Sequence, residues 1–175
     1  ESVIHQALKH GIDIVNDISA GHLDEKMLDT VGKAGVPYIM MHMRGKPQTM
    51  KELTNYENLI LEMNTYFAKR FHAARVAGIK DVIIDPGFGF AKTLDQNFLL
   101  LRHLELLGCH NLPLLAGVSR KSMIYKTLGI TAAEPLNGTT ALHMVCLEKG
   151  AKILRVHDVK EAVQAIELYQ MIQNN

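Results

Sequence analysis

Five short apolar runs in this sequence each stop at residues able to do chemistry. Ile12 to Asn16 ends on the pair Asn16-Asp17, Tyr38 to His42 gives onto Arg44, and Val82 to Ile84 ends on Asp85 and a Pro-Gly-Phe-Gly-Phe turn. Leu112 to Val118 runs into Ser119-Arg120-Lys121-Ser122, and Ile153 to Val156 carries Arg155 and leads to His157-Asp158. The amide of Asn16 both donates and accepts, which suits a heterocycle with mixed edges. Asp85 has no basic neighbour in sequence, so a carboxylate there needs a partner or a ligand, and a ring edge with adjacent N–H donors would supply one. Arg120 and Lys121 stand where a strand turns into a helix, whose N–H groups and dipole favour an anionic or electron-rich ligand. Arg155 and His157 flank Val156 and share one side of the chain, where they fit a phosphate group. Phe88 and Phe90 alternate with glycines; two large rings in a loop need a pocket to enter.

Simpler roles compete at several of these positions. Either Asn16 or Asp17 can cap the following turn, and Asp85 can do the same locally. Met40, Met41 and Met43 read as core filling, although a thioether also suits the wall of a flat aromatic ligand. No second His, Cys or carboxylate stands at ligand spacing beside His42, so it reads as an interior histidine rather than a metal ligand. Arg120 is the stronger candidate for a merely solvated charge, and Lys121 alone could also be a Schiff-base lysine. His103, His110 and His143 lie on or beside helices and read as surface or packing residues.

The elements that must position these groups follow from periodicity. Ile4, Ala7 and Leu8 mark a helix closed by Gly11. Further helices are expected over about Leu23 to Ala34, Tyr56 to Ala77, Gln96 to Leu107 with Asp95 as N-cap, a short one to Leu128, Pro135 to Lys149, and Val159 to Ile172. The last carries Val163, Ile166, Leu168 and Tyr169 as its apolar residues. Strand and helix alternate about five times, which demands a parallel sheet with right-handed crossovers. An open doubly wound sheet would concentrate ligand groups at one switch point, whereas all five strand ends here are polar or glycine-rich, as on the rim of a (β/α)8 TIM barrel. Such a barrel takes typically about 250 residues. The 175 residues therefore read as one barrel domain incomplete at its N-terminus, about the last five β/α units.

Composition narrows the rest. The chain is 47% hydrophobic and 21% charged with a formal net charge of +1, a globular balance with no pull toward nucleic acid or a membrane surface. No apolar run reaches the roughly 20 residues that span a bilayer. Cys109 and Cys146 are isolated, so a reducing cytoplasm is expected rather than a disulfide or zinc site.

Read together, IVNDISAG (Ile14 to Gly21), MMHMRGKPQTM (Met40 to Met50), IIDPGFGFAKT (Ile83 to Thr93), LLAGVSRKSM (Leu114 to Met123) and LRVHDV (Leu154 to Val159) resemble the dihydropteroate synthases of folate biosynthesis. The resemblance implies a cytoplasmic, homodimeric, Mg2+-assisted transferase that joins 6-hydroxymethyl-7,8-dihydropterin diphosphate to 4-aminobenzoate, with sulfonamides as competitors. It implies that Asn16 and Asp85 take the pterin edge and Lys121 its oxygen and nitrogen side. Met41 and Gly117 would line the slot, Phe90 and Ser122 the aminobenzoate side, and Arg155 and His157 the diphosphate. In that family roughly three further strands precede the matched region, with two loops that supply a metal-binding asparagine, a diphosphate arginine and much of the aminobenzoate subsite, while the third strand supplies another pterin aspartate. No metal ligand is thus expected within this sequence, and an inactive pterin-binding fragment is one alternative. The other is a methyltetrahydrofolate-binding methyltransferase domain, which would lack the Ser-Arg-Lys-Ser and Arg-Val-His-Asp signatures. Ala91 departs from the glycine common after the second phenylalanine, a change expected to be tolerated.

Overall fold

A computed structural model describes residues 2–46, 48–50, 52–108 and 111–174. Pro47, Cys109 and His110 lie outside the described residues. Helix α1 (Ser2–Lys9) precedes strand β1 (Val15–Asp17), and α2 (Met27–Ala34) crosses to β2 (Tyr38–Met41). Helix α3 (Leu59–Val76) leads to β3 (Val82–Asp85), and α4 (Leu94–Arg102) with a single 3-10 turn leads to β4 (Leu115–Ala116). Two helices, α5 (Ser122–Leu128) and α6 (Leu136–Glu148), separate β4 from β5 (Ile153–Leu154), and α7 (Val159–Asn174) ends the order.

All strand pairing is parallel. β1 pairs with β2 and β2 with β3, β4 pairs with β5, and an isolated bridge between Ile84 and Leu114 joins the two groups. Neighbours in space are thus neighbours in sequence throughout. A doubly wound sheet reverses its order at a switch point; a barrel does not, and this arc is part of a TIM barrel. Every carboxyl end consequently reaches the same rim. Tyr38, Met40, Phe67, Ile84, Leu100 and Leu104 are fully buried beneath it.

Several boundaries differ from the sequence expectation for physical reasons. Pairing of β1 begins only at Val15, whose N–H donates to Pro37 O, so Ile12 to Ile14 lie outside the ladder. Only Leu115–Ala116 of the expected Leu112 to Val118 run forms a ladder, and β5 stops at Leu154. Helix α4 is capped by Thr93, not Asp95: its hydroxyl accepts from Gln96 N, and the Gln96 side chain accepts from Thr93 N in a capping box. Asn58 caps α3, so that helix starts after Tyr56. On α7 the buried residues are Ala162 and Ala165, whereas Val163 and Leu168 are exposed.

Candidate functional site

Asp85 is the last residue of β3 and is fully buried. Its Oδ1 accepts from Gly87 N at 2.8 Å, and its Oδ2 accepts from Arg155 Nη1 at 2.7 Å. The carboxylate that lacks a partner in sequence thus finds one 70 residues away, so the chain itself compensates its charge. Arg155 stands just beyond β5 with 41% of its side chain exposed. Gly117, after β4, leaves the room: a Cβ there would come within 2.7 Å of an Arg155 guanidinium nitrogen. Gly87 is needed for a different reason, since at φ +68° its Cβ would lie 2.4 Å from His42 O.

The end of β1, one strand removed across β2, shows what a purely structural aspartate looks like. Asp17 accepts from Ser19 N and Oγ on one oxygen and from Gly21 N and Tyr38 Oη on the other, at 2.6 to 2.8 Å. Burial, reinforced by the Asp17 carboxylate, pushes the Tyr38 phenol far above its ordinary pKa, so the hydroxyl stays a donor. Of the pair, Asp17 does the capping and Asn16 is left exposed.

Asn16 lines a cleft of about 330 Å³ together with Met41, Phe90, Gly117, Lys121, Arg155 and His157. Seven of the nine sequence candidates therefore share its wall. Asp85 reaches it only through Arg155, and Ser122, the first residue of α5, is not on the wall. Phe88 is buried in the core, leaving Phe90 as the ring available to the cleft.

Lys121 Nζ stands 4.7 Å from the centre of the Phe90 ring. Burial lowers its pKa, repulsion from Arg155 lowers it further, and Asp85 opposes both. Arg120 turns the other way, with φ +53°, and pairs with Asp158 through Nε at 3.0 Å. Ser119, which sequence reasoning left without a role of its own, accepts the His157 N–H on its Oγ at 3.2 Å and contacts His157 Nδ1 at 3.0 Å. The alternation of polar residues at two adjacent strand ends was the only signal for that contact.

Lys92 was missed altogether. Its Nζ, buried behind the loop, donates to Pro86 O, Gly87 O and Phe90 O at 2.9 to 3.1 Å and lies 3.2 Å from His42 Nδ1. His42 is interior, as its apolar neighbours imply, and burial together with repulsion from Lys92 and Arg44 pushes its pKa down to about 2. His143 is buried as well, a packing residue on α6.

The rim of this barrel arc therefore brings an amide, an aromatic ring and three basic side chains around one cleft, with a buried carboxylate behind Arg155. A family model described as "Pterin binding enzyme" matches residues 1–157, and the chain belongs to that family. The dihydropteroate synthase of Escherichia coli K12 is 41% identical over 171 residues, which cover 96% of this chain and 60% of that protein. The Yersinia pestis dihydropteroate synthase solved with a sulfonamide drug complex superposes with a TM-score of 0.95 at 35% identity, covering 99% of this chain and 64% of that one. The Xanthomonas albilineans dihydropteroate synthase with 4-aminobenzoic acid gives 0.90 at 35% identity, covering 98% and 62%. The chain spans about 60% of the length of the curated relatives it matches.

Proposed function

We propose that the protein carrying this chain is a dihydropteroate synthase, and that the chain is its pterin-binding barrel domain without about three of the strands. The observation that carries this reading is the single cleft formed at successive strand ends by Asn16, Met41, Phe90, Gly117, Lys121, Arg155 and His157. Asn16 and Asp85 take the aminopyrimidinone edge of the pterin, and Lys121 its oxygen and nitrogen side. Because Asp85 already holds Arg155, binding is an exchange: the ring's N–H donors replace the guanidinium, which turns with His157 to the diphosphate. Phe90 packs against 4-aminobenzoate, with Ser122 beside it at the start of α5. The C–O bond to diphosphate breaks, the cation left on the exocyclic carbon delocalises into the dihydropterin, and the aminobenzoate nitrogen attacks it and loses a proton. Arg155, His157 and Lys121 act electrostatically, on the departing anion and the electron-rich ring.

No group of three or more His, Cys, Asp or Glu among the described residues is placed to hold a metal ion, and the resemblance puts the Mg2+ ligand outside this sequence. No step above runs through that ion. The apolar depression of about 550 Å³ between α6 and α7, walled by Leu168, Met171 and Ile172, supports a homodimer through these helices. The free, buried Cys146 fits work in the cytoplasm, and no described helix is long and apolar enough to cross a membrane. Sulfonamides would compete at the Phe90 side. The test is 4-aminobenzoate-dependent release of diphosphate from the pterin diphosphate by the full-length protein. Release is expected, with a sulfonamide competing against aminobenzoate; absence of release overturns the reading.

A further inference from the structure

The loop after β3 is held from inside by a cation that does not touch the cleft. Lys92 is 8% exposed, and its ammonium has three N–H donors for the carbonyls of Pro86, Gly87 and Phe90. These three carbonyls bracket the segment that ends at the Phe90 ring. Around this anchor the loop is tied twice more, by Asn97 Oδ1 accepting from Gly89 N at 2.7 Å and by Tyr56 Oη donating to Ala91 O at 2.9 Å. Ala91 lies at φ +49°, a conformation that a side chain other than glycine adopts at a cost, so the surrounding bonds must hold it there. His42 backs the loop with both its ring, at Lys92 Nζ, and its carbonyl, against Gly87. Charged groups facing Lys92 are Asp85, which favours its charge, and Arg44 and Lys121, which oppose it.

We propose that Lys92 is a positioning residue for the aromatic-amine side of the site: by pinning these carbonyls it sets the Phe90 ring opposite Lys121 and so determines affinity for 4-aminobenzoate rather than for the pterin. The inference rests on the function proposed above. Its specificity follows from what each side is built on. The pterin side rests on Asn16, Gly117 and Lys121, which come from other strand ends, whereas Phe90 has only this loop to place it. Asp85 is shared, but its position is fixed by β3 itself.

The test uses the full-length protein with Lys92→Met, which keeps the side chain's length and removes its donors, and Lys92→Gln, which restores two of them. For Lys92→Met the KM for 4-aminobenzoate is expected to rise at least about tenfold while the KM for the pterin diphosphate moves less than about threefold. Lys92→Gln is expected to fall between, and it carries the test should the methionine variant not fold. Equal shifts in both KM values, a loss only of folded fraction, or an unchanged KM for 4-aminobenzoate would each overturn the proposal. Amide hydrogen exchange provides an arm independent of the reaction. Exchange across residues 87–91 is expected to quicken at least about tenfold in the variants while that of α4 stays fixed, and unchanged exchange sinks the proposal. Failure of the wild type to release diphosphate, with the loop loosened as expected, would count against the proposed function and not against the loop's anchor.

Discussion

Asp17 and Asp85 end the two strands that flank β2 in one parallel arc, and both are buried, yet their partners differ in kind. Asp17 is saturated by four neutral donors, three of them within four residues and the fourth from Tyr38. Asp85 has one backbone donor and one guanidinium that arrives from a distant strand end with 41% of its side chain in solvent. Neutral donors fixed by the fold cannot leave, whereas a half-exposed cation can be exchanged for a ligand. The same residue type at the same kind of position is thus locked by the fold in one case and held by an exchangeable partner in the other, the difference on which the proposed binding role of Asp85 rests.

The sharpest way to break this comparison is to remove each carboxylate. Asp17→Ala takes the acceptor from the Tyr38 hydroxyl, the Ser19 N–H and hydroxyl and the Gly21 N–H, and is expected to cost about 3 kcal/mol or more of stability by urea denaturation. Asp85→Asn keeps an oxygen for Gly87 N, and the released Arg155 can turn to water, so its stability should stay within about 1 kcal/mol of wild type. A larger loss from Asp85→Asn than from Asp17→Ala would invert the assignment.

The loop behind Asp85 sharpens the picture through pH. Burial brings Lys92 down to about 7 from 10.5, so between those values the unfolded chain binds more protons than the folded one. Stability should therefore climb with pH above about 7, by up to about 1.4 kcal/mol per unit from this group. Denaturation of wild type and Lys92→Met between about pH 7 and about pH 9 is expected to show the climb flattened in the variant. The smallest effect belongs to Arg120, whose exposed pair with Asp158 is screened by solvent. Arg120→Ala should leave both melting temperature and pterin affinity where they were.

Much of this was legible in the sequence because it is periodic or local. The β/α alternation and the burial of Val82 and Ile84 before Asp85 rest on patterns within a few residues, whereas the choice of Phe90 over Phe88 rests on the family resemblance. The capping of α4 by Thr93 was equally local: the Thr-x-x-Gln spacing is a capping-box signal, and Asp95 drew attention from it. What could not be read depends on approach in space. Arg155 meets Asp85 across 70 residues, and Lys92 meets His42 across 50, where neither spacing nor composition marks a pair. In sequence Lys92 is one more basic residue ahead of a helix; its role appears only when the loop carbonyls converge on it. The face of α7 misled for a related reason, since Ala162 and Ala165 allow close packing while larger apolar residues nearby remain outside.

The central claim is that the Asp85 carboxylate, now shared with Arg155, is the acceptor for the ligand's ring edge. Titration calorimetry of 6-hydroxymethyl-7,8-dihydropterin diphosphate into the full-length protein and its Asp85→Asn variant tests it directly. The account predicts a loss of roughly 10- to 100-fold in affinity, about 1.4 to 3 kcal/mol, with the fold intact. Unchanged affinity in a folded Asp85→Asn protein would contradict it.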